Sequence, residues 1–205
     1  MGDSIERETT GKESDIMEEL VKKHIEDSID VKKRLSKTAS KTIARIAEEI
    51  VSAYRRGNKV VWFGNGGSAA DAQHLSCELV GKFYLKRKAL ESLALTTNTS
   101  ILTAVANDED FKEVFSRQVE ASVKSGDVVV AISTSGTSPN VIRGIEQAKK
   151  QGAITVALTG EKGGMLKGKV DYLVNVPSTE TPRIQESHIT IGHIICYLVE
   201  KELFG

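Results

Sequence analysis

From residue 59 onward, short uninterrupted apolar runs alternate with segments of helical spacing. This alternation limits what the chain can fold into more than any other feature does. The runs are Val60-Val61-Trp62-Phe63, Ser92 to Leu95, Val128 to Ile132, Ile154 to Leu158 and Tyr172 to Val176. A strand with one face in water would alternate apolar and polar residues. A continuous run marks a strand covered on both faces, as in a parallel sheet. The helical segments between the runs cover about 69–82, 100–106, 111–124, 139–151 and 183–203. Strands and helices in that order predict an open, doubly wound α/β sheet, mostly parallel and five-stranded. Ligands of such sheets bind beyond the carboxyl ends of the strands, so the loops there are where function is sought.

The segment ahead of residue 59 reads differently. Residues 1–13 hold one Ile and four acids, which predicts a disordered tail. Ile16, Leu20, Val21, Ile25 and Ile29 follow at helical spacing, predicting a helix over 14–35. Ile43, Ile46, Ala47, Ile50, Val51 and Tyr54 predict a second over 38–56, stopped by Gly57. The organisation expected is a tail (1–13), N-terminal helices (14–58) and a compact α/β unit (59–205). The helices form an arm that packs on the sheet or on a neighbouring subunit.

Several classes of function are disfavoured. Twenty-eight Lys and Arg balance 28 Asp and Glu, without the basic excess of a nucleic-acid binder. The longest apolar stretch, Ile189 to Val199, is interrupted by Gly192 and His193 and is too short for a bilayer. The acidic N-terminus lacks a signal-peptide core, so a soluble cytoplasmic protein without membrane or nucleic-acid partners is expected. Cys77 and Cys196 are too few for a disulfide scaffold and read as small buried apolar residues.

Two loops after strands carry chemistry. The first is Gly64-Asn65-Gly66-Gly67-Ser68-Ala69. Its glycines allow close backbone approach, and the following helix offers its positive end to an anion. It matches G-x-G-x-x-A, but the second strand ends Leu95-Thr96-Thr97-Asn98 without the acid that a dinucleotide ribose requires. The second loop is Ser133-Thr134-Ser135-Gly136-Thr137-Ser138-Pro139. A helix cap needs one hydroxyl, and five in six residues suit a phosphate monoester. No Gly-Lys-Ser/Thr follows, so this is not a nucleotide P-loop.

The remaining candidates sit on helices. His74 and Glu78, four apart, share a helix face and can form a metal pair, an acid/base pair or a solvated ion pair. On the last helix, Gln185 and His193 are two turns and roughly 80° apart and can lean toward one site. His188 reads as structural or peripheral. Asn107-Asp108 makes a polar break before the helix at Phe111, where a helix N-cap is the plain alternative.

Together these motifs, with Asp71 and Arg183-Ile184-Gln185-Glu186, resemble the sugar isomerase (SIS) domain family, and within it the phosphoheptose isomerases. The resemblance runs from about residue 40 to the C-terminus. It implies a flavodoxin-like αβα sandwich and a homotetramer with sites between subunits. It implies interconversion of sedoheptulose 7-phosphate and D-glycero-D-manno-heptose 7-phosphate by acid/base enediol chemistry. By the same resemblance Ser133, Thr134, Ser135 and Ser138 hold the phosphate. Asn65, Gly66, Gly67 and Ser68 contact the sugar, Asn107 and Asp108 close on it, and Gln185 lies at the same site. Glu78 and His193 take the acid/base positions. His74, Glu78, Gln185 and His193 match the ligands of one zinc ion per subunit. Two positions depart from the pattern. Lys82 stands where many relatives carry Arg, supplying charge without a bidentate fork. Pro182 stands where some carry Asp.

Alternatives are a SIS scaffold that associates with a replication initiator and performs no catalysis, or an isomerase of another sugar phosphate. The scaffold type lacks the glutamate and the last-helix histidine. This chain has both Glu78 and His193.

Overall fold

The five apolar runs form one parallel sheet in the order β2-β1-β3-β4-β5. The strands are β1 (Val60–Gly64), β2 (Ser92–Ala94), β3 (Val128–Ser133), β4 (Ile154–Thr159) and β5 (Tyr172–Asn175). In this computed structural model residues 2–205 are described, with side chains from residue 15 onward. The tail expected over 1–13 lies outside the fully described residues. The central strands β1 and β3 are buried along their whole length, as continuous apolar runs require. The edge strands β2 and β5 are more open.

The period-two alternation of side chains assigns each strand's residues to two cores. Val60, Trp62, Val128, Val130, Val156 and Leu158 face α1 (Gly2–Arg55), α2 (Gly67–Val80) and α6 (Thr181–Phe204). Val61, Phe63, Val129, Ala131 and Ala157 face α3 (Thr99–Asp108), α4 (Val114–Ser122) and α5 (Pro139–Lys150). The result is the αβα sandwich with an N-terminal helical extension that the sequence implied. The strand order reverses between β1 and β3, because the chain winds outward from β1 in both directions. The crevice at such a switch point is where a ligand finds room. The two loops singled out above leave β1 and β3 at that point.

The N-terminal region corrects the expectation of two helices. α1 is one continuous helix. The polar stretch around Ser36 and Thr38 is not a break, since Ser36 Oγ donates to the Lys33 carbonyl and Thr38 Oγ1 to the Arg34 carbonyl. Satisfied inside the helix, these hydroxyls have no cap to form. Val31, Leu35, Ala39, Ile43, Ile46 and Ile50 continue one buried stripe through the junction. The N-terminal half of α1 differs. Ile16, Met17, Leu20, Val21 and Ile25 are 49–66% exposed within the single chain.

Candidate active site

The loop after β1 enters α2 through Gly66, whose φ is +55°. No side chain caps the helix. Ser68 is buried, and its N–H donates to the Asn65 carbonyl. Gly67 has a packing reason for lacking a side chain: a Cβ there would lie 2.6 Å from Gln185 Nε2. Gln185 of α6 therefore rests directly on the glycine loop.

The loop after β3 answers the question of caps. Ser138 occupies the N-cap of α5, yet its side chain makes no capping bond. Ser133 Oγ accepts from the Gly136 N–H at 3.2 Å, and Ser135 Oγ accepts from the Thr137 N–H at 3.2 Å. The hydroxyls thus organise the loop rather than cap α5.

The two loops are fastened to each other by a contact the sequence reading missed. Asn65 Nδ2 donates to Asn140 Oδ1 at 2.9 Å, and Asn140 Nδ2 returns a bond to Asn65 Oδ1 at 2.9 Å. Asn140 is buried, and its Oδ1 also accepts from the Val141 N–H. A polar residue on the inward face of α5's first turn was the available signal.

α2 and α6 carry the candidate acid/base and metal-ligating side chains. His74 Nε2 lies 3.1 Å from Glu78 Oε1 and 3.0 Å from His193 Nε2. Donor atoms of the three residues all lie within 4.8 Å of one another. Two imidazole nitrogens at 3.0 Å require one to donate to the other's lone pair, or a cation between them. In a tetrahedral zinc site with bonds of about 2.0–2.1 Å, ligands sit about 3.4 Å apart. The spacing and the N₂O donor set fit a borderline-soft divalent ion with a position left open. Asp71, one turn before His74, has a buried Oδ2 without a partner among the described residues. Its burial pushes the carboxyl up, against the pull of His74.

Asn107 and Asp108 are exposed at the end of α3, and Asn107 Nδ2 donates to Asp108 Oδ1. They are not an N-cap; Asp110 caps the short 3₁₀ turn Phe111–Glu113 instead. Lys82 and Pro182 are exposed. Cys196 is buried as expected, and burial pushes its thiol up to about 12. Cys77 is exposed, because it lies on the outer face of α2, away from Leu75 and Leu79.

His188 is structural, and it has a measurable signature. Its ring is fully buried and Nε2 lies 3.2 Å from the Thr159 carbonyl, so the proton resides on Nε2. Burial lowers its pKa from 6.5 to about 4. The unfolded chain binds this proton below 6.5 and the folded chain only below about 4. Stability is therefore lost as pH falls through that window, by roughly 3 kcal/mol for this group. Thermal melts at pH 7.5 and 4.5 should show a smaller pH-dependent drop for His188→Gln than for the parent. An equal drop would remove His188 as the source.

Comparison with known proteins follows this geometry closely. The SIS domain family profile matches residues 23–160. A phosphoheptose isomerase of Geobacter sp. is 53% identical over 92% of this chain and 98% of that relative. One from Aneurinibacillus thermoaerophilus is 50% identical over 92% of this chain and 96% of its own length. The chain belongs to the phosphoheptose isomerase family. The solved phosphoheptose isomerase of Neisseria gonorrhoeae superposes with a TM-score of 0.86 at 40% identity. It covers 90% of this chain and 99% of its own. Membership makes the chain an isomerase and sets aside the non-catalytic scaffold.

Proposed function

We propose that the protein isomerises sedoheptulose 7-phosphate to D-glycero-D-manno-heptose 7-phosphate. The observation that carries this is the convergence of His74, Glu78 and His193 between α2 and α6, in a fold whose loops at the switch point lead into α2 and α5 without side-chain caps. The relatives' names point to a phosphorylated heptose.

The phosphate sits at the start of α5, taken by Ser133, Thr134, Ser135 and Ser138. Helix N–H groups and hydroxyls favour an anion there. The sugar lies along Asn65, Gly66, Gly67 and Ser68, under Gln185, with Asn107 and Asp108 as further contacts. The Glu78 carboxylate removes a proton from C1 of the ketose. His193 gives a proton to the C2 oxygen, so an enediol forms. His193 then takes the proton of the C1 hydroxyl as the C1 carbonyl forms, and Glu78 returns the carbon-derived proton to C2. Atoms and charge balance without a redox partner. Each proton transfer of this kind contributes about 10²–10⁴-fold. His74, Glu78, Gln185 and His193 would hold a zinc ion, which when bound supplies positive charge near the enediol oxygens.

A homotetramer with sites between subunits fits the same reading. The exposed apolar residues of the first half of α1 form a stripe that water does not favour and a second helix would cover. Among the described residues no helix is long and apolar enough to cross a membrane. This fits a cytoplasmic location.

The test is conversion of sedoheptulose 7-phosphate by purified protein, with added zinc and with chelator. Aldose formation is expected, with activity lost in chelator and restored by zinc. Turnover unaffected by chelator would remove the metal from the proposal. No turnover by folded protein in either arm would move the substrate to another sugar phosphate.

A further inference from the structure

A buried charge pair lies behind the acid/base residues and takes no part in the chemistry above. Arg87 and Glu200 side chains are each 2% exposed, and Arg87 Nε donates to Glu200 Oε1 at 2.8 Å. Arg87 stands in the irregular segment after α2, and Glu200 lies in α6, seven residues and two turns beyond His193.

The bonds of this pair go to specific places. One terminal nitrogen of Arg87 donates to the Glu78 carbonyl at 2.9 Å, and the other to the Leu79 carbonyl at 2.8 Å and the Lys88 carbonyl at 3.1 Å. The carbonyls of Glu78 and Leu79 belong to the last turn of α2, which has no intrahelical donors for them. A guanidinium also suits the negative end of that helix. Glu200 accepts three successive backbone N–H groups, from Phe83 at 3.1 Å, Tyr84 at 2.7 Å and Leu85 at 2.9 Å. Burial raises the Glu200 carboxyl, and these N–H groups with Arg87 outweigh it, so it is held below the usual range.

The segment fixed in this way carries Phe83 against the reacting imidazole. The Phe83 and His193 ring centroids are 5.6 Å apart, tilted by 34°. Tyr84 meets Tyr197 of α6 edge-on at 5.9 Å. A pair that served stability alone would be equally at home elsewhere in the fold. This one bonds the backbone of the residue bearing the carboxylate, orders the residue packed against the histidine, and is rooted in the helix that bears the histidine.

We propose that Arg87 and Glu200 are positioning residues for the isomerisation, holding the last turn of α2, residues 83–85 and α6 as one unit that sets Glu78 against His193. The proposal rests on the acid/base reading of those two residues. Supports of this kind are worth about 10–100-fold in activity. Because the phosphate loop lies elsewhere, on β3 and α5, the loss should fall on kcat and leave KM within about twofold.

The test uses Arg87→Lys, which keeps the charge but not the fork, with Glu200→Gln as its counterpart. Two readouts are taken: kcat and KM for the sugar phosphate, and the His193 ring resonance in metal-free protein carrying ¹³C-labelled histidine. The expected result is a kcat about 10–100-fold lower, KM nearly unchanged, and a His193 resonance displaced as the neighbouring Phe83 ring moves. A folded variant with the parent's kcat, or with lowered kcat and an unmoved resonance, overturns the proposal. Should neither pair variant fold, Phe83→Ala decides, since it leaves every bond of the pair in place. There an unchanged kcat overturns it and a lowered kcat with a displaced His193 resonance supports it. A parent inactive on sedoheptulose 7-phosphate would fail the substrate reading alone, because the resonance still reports on the positioning.

Discussion

Replacing Glu78 by Gln should reduce kcat for sedoheptulose 7-phosphate about 10³-fold or more, while the affinity for the sugar phosphate stays within about threefold. The substitution keeps the size of the side chain and an oxygen that can accept from His74, 3.1 Å away in the parent. It removes the negative charge, and with it both the ability to take a proton near neutral pH and an anionic ligand for a bound zinc ion. The competing view of this residue is a solvated i,i+4 pair with His74. Such a pair is worth about 0.3–0.5 kcal/mol of stability and nothing in rate. The two views thus differ by orders of magnitude in one measurement. Turnover is followed by aldose formation and affinity by calorimetry. Exchange of the C1 protons with deuterated solvent provides a third observable, since a lost base stops exchange as well as net conversion. Near-parental turnover would take Glu78 out of the mechanism. Lost turnover with parental exchange would place it after proton abstraction.

The layers and the switch point were legible because burial on both faces leaves a simple mark. Strands such as Val128 to Ile132 cannot be solvent-facing, and the helices between them have nowhere to go but the two faces of the sheet. Spacing also placed His74 and Glu78 on one helix face, and the structure brings His193 to them across α2 and α6. What escaped was set by partners distant in sequence. Ser36 and Thr38 look like a helix boundary until their hydroxyls find carbonyls of the same helix. Asn140 is a polar residue on the inward face of a first turn, and only the approach of Asn65, 75 residues away, gives it a role. Glu200 looks like surface charge at the end of an amphipathic helix. Its three backbone donors and Arg87 come from a segment without regular periodicity, and no local pattern announces them. Local rules recover what one element decides alone. Contacts that join two elements at the site need the fold first.

The serine-rich loop shows the same dependence and carries the second large expected effect. Gly136→Ala should raise KM for the phosphorylated sugar about 100-fold or more and lower stability by about 3 kcal/mol. Gly136 has φ +65°, and a Cβ there would run into the Gly163 carbonyl oxygen, with Gly163 C at 2.8 Å and Gly164 N at 3.1 Å. These are backbone atoms and cannot swing aside as a side-chain tip would. The turn they belong to is tied to the loop, since the Gly160 N–H donates to the Thr134 carbonyl and the Met165 N–H to the Gly136 carbonyl. Relief therefore means separating the loop from that turn, which moves Ser133, Ser135 and Ser138 together. Losing two bonds to a charged phosphate, at about 1.5 kcal/mol or more each, accounts for the 100-fold. Gly57→Ala is the matched control. Its φ is +79° but nothing lies within 4 Å of the added Cβ, so it bears backbone strain without the collision. It should cost about 1 kcal/mol and leave KM at the parental value. Equal stability losses in the two variants, with KM unmoved in both, would reduce Gly136 to an ordinary turn glycine. They would also take the phosphate away from the β3–α5 loop.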